Sequence, residues 1–277
     1  MTQEKPWVES DAWPSGRYLA AYLGIGVLVG LASALLGIGG GVLIVPLLTG
    51  FLGVPIRRAV AISIVTVLLI SFIGVARELQ RGTTLPWLLV AVLAVGAQGG
   101  VWLGGKVHDH ISDRALRHVF MVVLLLTAAK MANLGGLGPA RGIILLEDPV
   151  HWVAWGLVVG ALAGLLSVLV GIGGGIVVVP GLALLIADID FRTIQVVSLA
   201  MIIPTSLTGA YVHAHRGNVL WRSVLTLSVP GCAGVLAGVA LAHSMPSSWL
   251  KEIVFPVFLC LMVIRLGWMS RRQAERG

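Results

Sequence analysis

Eight long apolar runs, at residues 18–36, 59–76, 85–104, 119–129, 152–170, 194–212, 224–242 and 253–264, leave this chain little choice of solvent. Most approach the ~20 residues that a helix needs to cross a bilayer, and the shorter ones gain length from their flanks. No soluble domain fits between them. Charged residues make up 11% of the chain and hydrophobic ones 57%, where a soluble domain carries about 25% charged residues. The runs predict an all-α, polytopic membrane protein whose immediate partner is the lipid bilayer. The net charge of +7 does not indicate nucleic acid. Its Lys and Arg residues are scattered among short connections and gathered at Arg265, Arg271, Arg272 and Arg276, which reads as topology signal. Trp13, Trp87, Trp102, Trp152, Trp221, Trp249 and Trp268 stand near run ends, as interfacial anchors do. Cys232 and Cys260 lie inside apolar runs and read as packing residues. The N-terminus lacks a basic region ahead of its first apolar run, so that run is expected to be retained as a helix.

Within this pattern one motif occurs twice. GIGGGVLIVP runs from Gly37 to Pro46 and GIGGGIVVVP from Gly171 to Pro180, a spacing of 134 residues. After a one-residue insertion, Arg57 aligns with Arg192, Ser63 with Ser198, Ser71 with Ser206, Gly74 with Gly209, Arg81-Gly82 with Arg216-Gly217, Gly96 with Gly231 and Gly99 with Gly234. Two homologous repeats are therefore expected, each with a glycine-rich broken helix at the same place, a pattern that points to a transporter's binding site.

Each repeat reads as four or five helical segments, eight to ten in all. They fall at 17–36, 42–53, 58–76, 86–104 and 115–134, then at 151–170, 176–187, 192–212, 220–243 and 250–269. Residues 1–16 form a polar tail, 17–134 the first transmembrane repeat, 135–150 a linker, 151–269 the second repeat and 270–277 a basic tail. The second segment of each repeat is too short for a comfortable crossing. Its glycines predict non-helical backbone, followed by a short helix starting near Pro46 or Pro180. If all five segments cross, the repeats are inverted; if the first two make one crossing, they are parallel. The short, broken segments favour inversion. Both arrangements place the termini in the cytoplasm by the distribution of Lys and Arg.

The paired GIGGG…P motifs, each followed by an Arg and then by serines, resemble the sulfite exporter TauE/SafE family over about residues 18–268. The resemblance implies a multi-pass permease of a bacterial inner or organellar membrane that moves sulfur-containing anions such as sulfite or sulfonates. The family often carries a His shortly before the Gly that ends the third segment. His213 and His215 precede Gly217 in this way, but Arg77, Glu78 and Gln80 precede Gly82, so the halves differ there.

Candidate substrate-binding groups follow from the chemistry of an oxyanion. Exposed backbone N–H groups beside a helix start bind anions without a fixed charge. That selects Gly37, Gly39, Gly40, Gly41, Gly171, Gly173, Gly174 and Gly175; the competing role for these glycines is tight helix packing. Ser63 and Ser71, with Thr66, form a loose polar face, as do Ser198 and Ser206 with Thr205. These hydroxyls offer donors to an anion or bond to neighbouring helices. Arg57, Arg192, Arg81 and Arg216 sit at segment ends, where they either attract anions or snorkel. His213 and His215 could couple proton to anion movement, and Arg77 with Glu78 reads as a local pair. No carboxylate stands mid-span, and no metal, cofactor or nucleophile–base motif occurs. The leading function is an alternating-access permease for small anions. A passive channel and, more remotely, an intramembrane enzyme are the alternatives. A homodimer is compatible with all three.

Overall fold

The computed structural model describes residues 13–14, 16–107, 149–170, 174–186 and 189–261. The expected segment 115–134, most of the linker 135–150 and the basic tail lie outside them, as do Gly171 and Gly173. Every regular element among the described residues is helical. They are α1 (Arg17–Leu36), α2 (Gly41–Gly50), α3 (Ile56–Gln80), α4 (Trp87–Val107), α5 (Pro149–Val170), α6 (Gly175–Leu185), α7 (Phe191–His215) and α8 (Trp221–Ser244). A last helical stretch begins with α9 (Ser247–Trp249), passes through a π-helical turn at Leu250–Val254 and continues to residue 261. Among the described residues, α1, α3, α7 and α8 are long and apolar enough to cross a membrane by length and composition.

The helices pack in a row, in the order α1, α8, α3, α7, α4, α5. The short α2 lies on α3, and the short α6 lies against α5 and α7. The outer helices turn apolar side chains outward, among them Leu28, Val95, Leu162 and Val229. The central α3 and α7 bury a set of hydroxyls, Ser63, Thr66, Ser71, Ser198 and Ser206. Phe255 packs edge-on to Phe191 at 5.6 Å, which seats the C-terminal stretch on the start of α7.

Lipid is as apolar as leucine, so apolar burial does not draw two helices together inside a membrane; close packing of small residues does. Both outer pairs use it. A Cβ added at Gly26 would lie 2.5 Å from the Leu227 carbonyl oxygen, and one added at Gly30, Gly234 or Gly238 would also collide with the facing helix. On the other side, Gly96 and Gly100 of α4 meet the backbone of Leu157 and Ala161, while Gly160 and Gly164 of α5 meet that of Leu93 and Ala97. Each of the four helices carries two of these glycines four residues apart. Spacings of four stack residues on one face.

The same contacts give the directions of the helices. Gly26 meets residues 227–231 and Gly30 meets residues 231–235, so α1 and α8 run parallel. Thr66 meets Ser228 and Gly74 meets Val235, so α3 runs parallel to α8 as well. Gly96 faces Leu157 and Gly100 faces Ala161, so α4 and α5 run parallel. In the centre, Gly209 approaches Ile64 and Gly74 approaches Leu199, so α3 and α7 run antiparallel.

One expectation needs correction. The short helices do not start near the prolines. They start at Gly41 and Gly175, five residues earlier, and Pro46 and Pro180 lie inside them. The Leu43 and Ile44 amides already donate to the Gly40 carbonyl at 3.0 and 3.2 Å, and Val177 and Val178 do the same to Gly174. A proline inside a helix forfeits one backbone bond and bends it, which a helix of three turns held by buried neighbours accommodates.

The close approach of α4 and α5 makes a paired test. Gly100→Ala places a Cβ into the Ala161 carbonyl, whereas Gly99→Ala meets nothing within 4 Å. In detergent, Gly100→Ala should lose about 1–3 kcal/mol of unfolding free energy through overpacking, while Gly99→Ala should match or slightly exceed the parent. Equal melting of the two variants would contradict this packing.

Candidate functional site

The two glycine stretches meet. A Cβ added at Gly175, where α6 starts, would lie 2.9 Å from the Ile38 Cα in the loop that leads into α2. Gly37, Gly39 and Gly40 all have positive φ, at 69°, 70° and 74°. That backbone favours glycine, and it turns the chain sharply between the end of α1 and the start of α2. The Gly37 amide closes α1 by donating to the Ser33 carbonyl at 2.9 Å. In the second half Gly174 has φ −65°, so the two stretches are not conformational copies at that position. Neither α2 nor α6 has a side-chain cap at its N-terminus. Helix starts of this kind present unmatched N–H groups and the positive end of the helix dipole.

Two side chains from the central helices fill the place where these starts converge. Ile202 of α7 lies against both glycine stretches. Its Cδ1 is 2.9 Å from the Cβ position of Gly39 and 2.7 Å from that of Gly175. Val67 of α3 reaches Gly39 from the other side, with its Cγ1 at 3.0 Å from the same position. Helical periodicity puts the serines around this point. Ser63 and Ser71 stand four residues either side of Val67, and Ser198 and Ser206 four residues either side of Ile202, each trio forming one stripe. Because α3 and α7 are antiparallel, with Gly74 against Leu199 and Gly209 against Ile64, the Ser71 turn lies opposite Ile202, about one turn from Ser198. Ser63, Ser71 and Ser198 are almost completely buried, Ser206 nearly so. The hydroxyls of Ser71 and Ser198 have no hydrogen-bond partner, and a third buried hydroxyl without one, Ser33, stands beside Gly40. Buried polar groups are normally satisfied, so three unmatched hydroxyls around one crossing call for an explanation.

The other expected residues divide. Thr205 donates to the Ile202 carbonyl of its own helix at 2.9 Å, and Thr66 accepts from Ser228 at 3.4 Å. Gln98 donates to Thr208 at 2.7 Å, tying α4 to α7. Arg57, Arg81 and Arg216 are exposed at helix ends. Arg192 is a tether: its side chain donates to the Met245 carbonyl, and its amide is capped by Asp190 at 3.0 Å. His215 is exposed and bonds the Tyr211 carbonyl of its own helix at 3.1 Å, while the buried Nδ1 of His213 has no partner. The local pairing of Arg77 with Glu78 is not formed. Arg77 donates to Gln80 at 3.3 Å, and Glu78 instead pairs with His243 of α8 at 3.1 Å. Helical geometry explains this, since adjacent residues diverge by about 100° around the axis.

Four contributors escaped sequence reasoning. Gln195, on the stripe of Ser198 and Ile202, donates to the Leu35 carbonyl at the end of α1 and packs on Gly37. Ile202 and Val67 are two aliphatic residues among dozens, although they do occupy aligned positions in the two halves. Ser33 had a detectable signal, because it aligns with Ser167 at the spacing of the glycine motif.

Residues 3–131 and 156–277 match the sulfite exporter TauE/SafE family. The chain is 28% identical over 206 residues to a probable membrane transporter protein of Methanocaldococcus jannaschii, covering 72% of this chain and 74% of that one. It is 27% identical over 260 residues to the probable membrane transporter protein YunE of Bacillus subtilis, covering 87% and 93%. A probable membrane transporter protein of Xylella fastidiosa strain Temecula1 is 27% identical over 256 residues, covering 91% and 96%.

Gln195 should matter to the glycine stretch independently of any cargo. Gln195→Leu removes the side-chain bond to the Leu35 carbonyl at the α1 end and leaves a buried carbonyl in apolar surroundings, at a cost of about 1–3 kcal/mol. Denaturation in detergent that is unchanged by Gln195→Leu would show that this bond does not hold the loop.

Proposed function

This chain belongs to the sulfite exporter TauE/SafE family of membrane transporters, and on that premise we propose that it is a permease for small anions, with sulfur oxyanions or organosulfonates as cargo. The cargo binds where the starts of α2 and α6 converge, at Gly39, Gly40, Gly41, Gly174 and Gly175, between the serine stripes of α3 and α7. The observation that carries this reading is the convergence itself. Two uncapped helix starts supply N–H donors and positive dipole ends, and the unmatched hydroxyls of Ser71 and Ser198, on the two helices that carry Val67 and Ile202, supply further donors. A sulfite or sulfonate head has oxygens on several sides and accepts from all of them. No fixed positive charge is needed, so release is not impeded by a strong ion pair.

The alternating-access form of the mechanism rests on a repeat read as inverted. The aligned helices α3 and α7 run antiparallel, and the row α1–α8–α3–α7–α4–α5 reads the same from either end when the halves are exchanged. The parallel arrangement would give α3 and α7 one direction. A symmetric site on such an axis can face either side of the membrane when one half rocks against the other. Ile202, wedged against both glycine stretches, favours a closed carrier over an always-open pore. The chemistry is translocation, not catalysis. The location is proposed to be the bacterial inner membrane with cytoplasmic termini. Exposed Arg57, Arg81 and Arg216 at the helix ends concentrate anions near the entrances.

Purified protein in liposomes should take up labelled sulfite with saturation, and an excess of a small sulfonate should compete. Ser71→Ala and Ser198→Ala together should lower uptake by ~10-fold or more, since a hydrogen bond to a charged group contributes about 1.5–3 kcal/mol. Uptake that never saturates would favour a channel. Saturable uptake indifferent to both substitutions would move the site elsewhere.

A further inference from the structure

Beyond the anion site, α3 carries a buried carboxylate that the permeation chemistry above does not use. Glu78 is 6% exposed. Its carboxylate oxygens lie 3.3 and 3.1 Å from the Nε2 of His243, and one of them also accepts from the Thr83 hydroxyl at 2.9 Å. Burying a carboxylate is costly unless it is paired and hydrogen-bonded, and here the partner is an imidazole, the side chain whose charge changes near neutral pH. Ionisable groups inside transmembrane helices are expensive, and they commonly mark proton relays.

The position of the pair matters as much as its chemistry. Glu78 lies seven residues beyond Ser71, which places it on the same stripe of α3 as Ser63, Val67 and Ser71 and about 10 Å further along the helix. It therefore stands on the face that lines the candidate anion path, two turns towards one end. His243 comes from the last turn of α8, in the other half of the chain, so the pair joins two helices that belong to different repeats. Several other charged groups at this end have places of their own. Arg77 bonds Gln80, Arg81 is exposed, Arg192 is tethered to Met245 and its neighbour Asp190 caps α7, and Glu252 of the C-terminal stretch is exposed. The last turn of α1 brings no charged residue to this end. At the opposite end of the path, the α7 residue aligned with Glu78 is His213, seven residues beyond Ser206, so the carboxylate is present at one end only.

We propose that Glu78 and His243 form a proton-binding site that ties anion movement to proton movement. This rests on the anion-permease reading above. With a proton on Nε2, the imidazolium neutralises the carboxylate and holds α3 to α8. Without it, a negative charge stands on the path two turns from the serines and repels an arriving anion. Anion passage is thereby linked to uptake of a proton from water on one side of the membrane and its release on the other, with no other group consumed or changed.

The test uses the full-length protein in liposomes loaded with a pH-sensitive dye. The cargo is labelled methanesulfonate, which stays ionised throughout the range and so carries no proton itself. Wild-type protein should acidify the lumen as the anion enters, and an imposed gradient with the outside more acidic should drive anion uptake against its own gradient. Glu78→Gln keeps a hydrogen-bonding group beside Thr83 and should still carry the anion downhill, but with at least a 10-fold loss of dye response per anion. His243→Gln should do likewise and serves if Glu78→Gln does not fold. Anion flux in wild type with no proton movement, or variants that move as many protons per anion as wild type, would overturn the coupling and leave the permease standing. Absence of flux for both sulfite and methanesulfonate would instead strike the permease reading and the coupling with it.

Discussion

Everything in this protein follows from how closely two helix backbones can approach in a solvent that gives apolar side chains no reason to leave it. Gly26, Gly30, Gly234 and Gly238 settle the matter for α1 and α8, and Gly96, Gly100, Gly160 and Gly164 for α4 and α5. At each of these positions even one methyl group would meet the neighbouring chain. The result is two stiff outer pairs, each joining the first helix of one half to the fourth helix of the other. Between them α3 and α7 cross with larger side chains at the contact. The middle of the molecule is where packing is looser and where polar groups collect.

That arrangement explains why a backbone as irregular as Gly37–Gly40 persists at membrane depth. Non-helical backbone is tolerated there when protein surrounds it, and α3, α7 and α1 enclose it. Gln195 satisfies one free carbonyl at the end of α1, and the Gly37 amide satisfies another. Unmatched at this crossing are the starts of α2 and α6 and the hydroxyls of Ser33, Ser71 and Ser198. Under the anion-permease proposal, a polyatomic anion is the ligand that these donors would take. The same crossing is filled by Ile202 and Val67.

The sequence was most legible where one physical rule acts alone. The apolar runs placed α1, α3, α4, α5, α7 and α8 to within a few residues, because hydrocarbon thickness dictates their length. The glycine stretches located the breaks. The starts of α2 and α6 were misplaced because proline's preference for a first turn gave way to packing around Gly41 and Gly175. The pairing of Glu78 with His243 was hidden because its partners lie 165 residues apart, and the nearest opposite charge in sequence, Arg77, points elsewhere. Likewise the glycines of the outer pairs were visible as letters, but which helix each one faces depends on the order of the row, which periodicity does not contain. Arg192 illustrates the same limit: an arginine at a helix start reads as a charge for solvent or substrate, and here it is a tether to a distant carbonyl.

The most direct measurement is to locate the anion. A structure of the membrane-embedded protein with 2-bromoethanesulfonate, whose bromine scatters anomalously, should show the sulfonate head between the starts of α2 and α6, within hydrogen-bond reach of Ser71 or Ser198, with Ile202 displaced. A sulfonate bound elsewhere in the bundle, with Ile202 still seated against Gly39 and Gly175, would contradict the account.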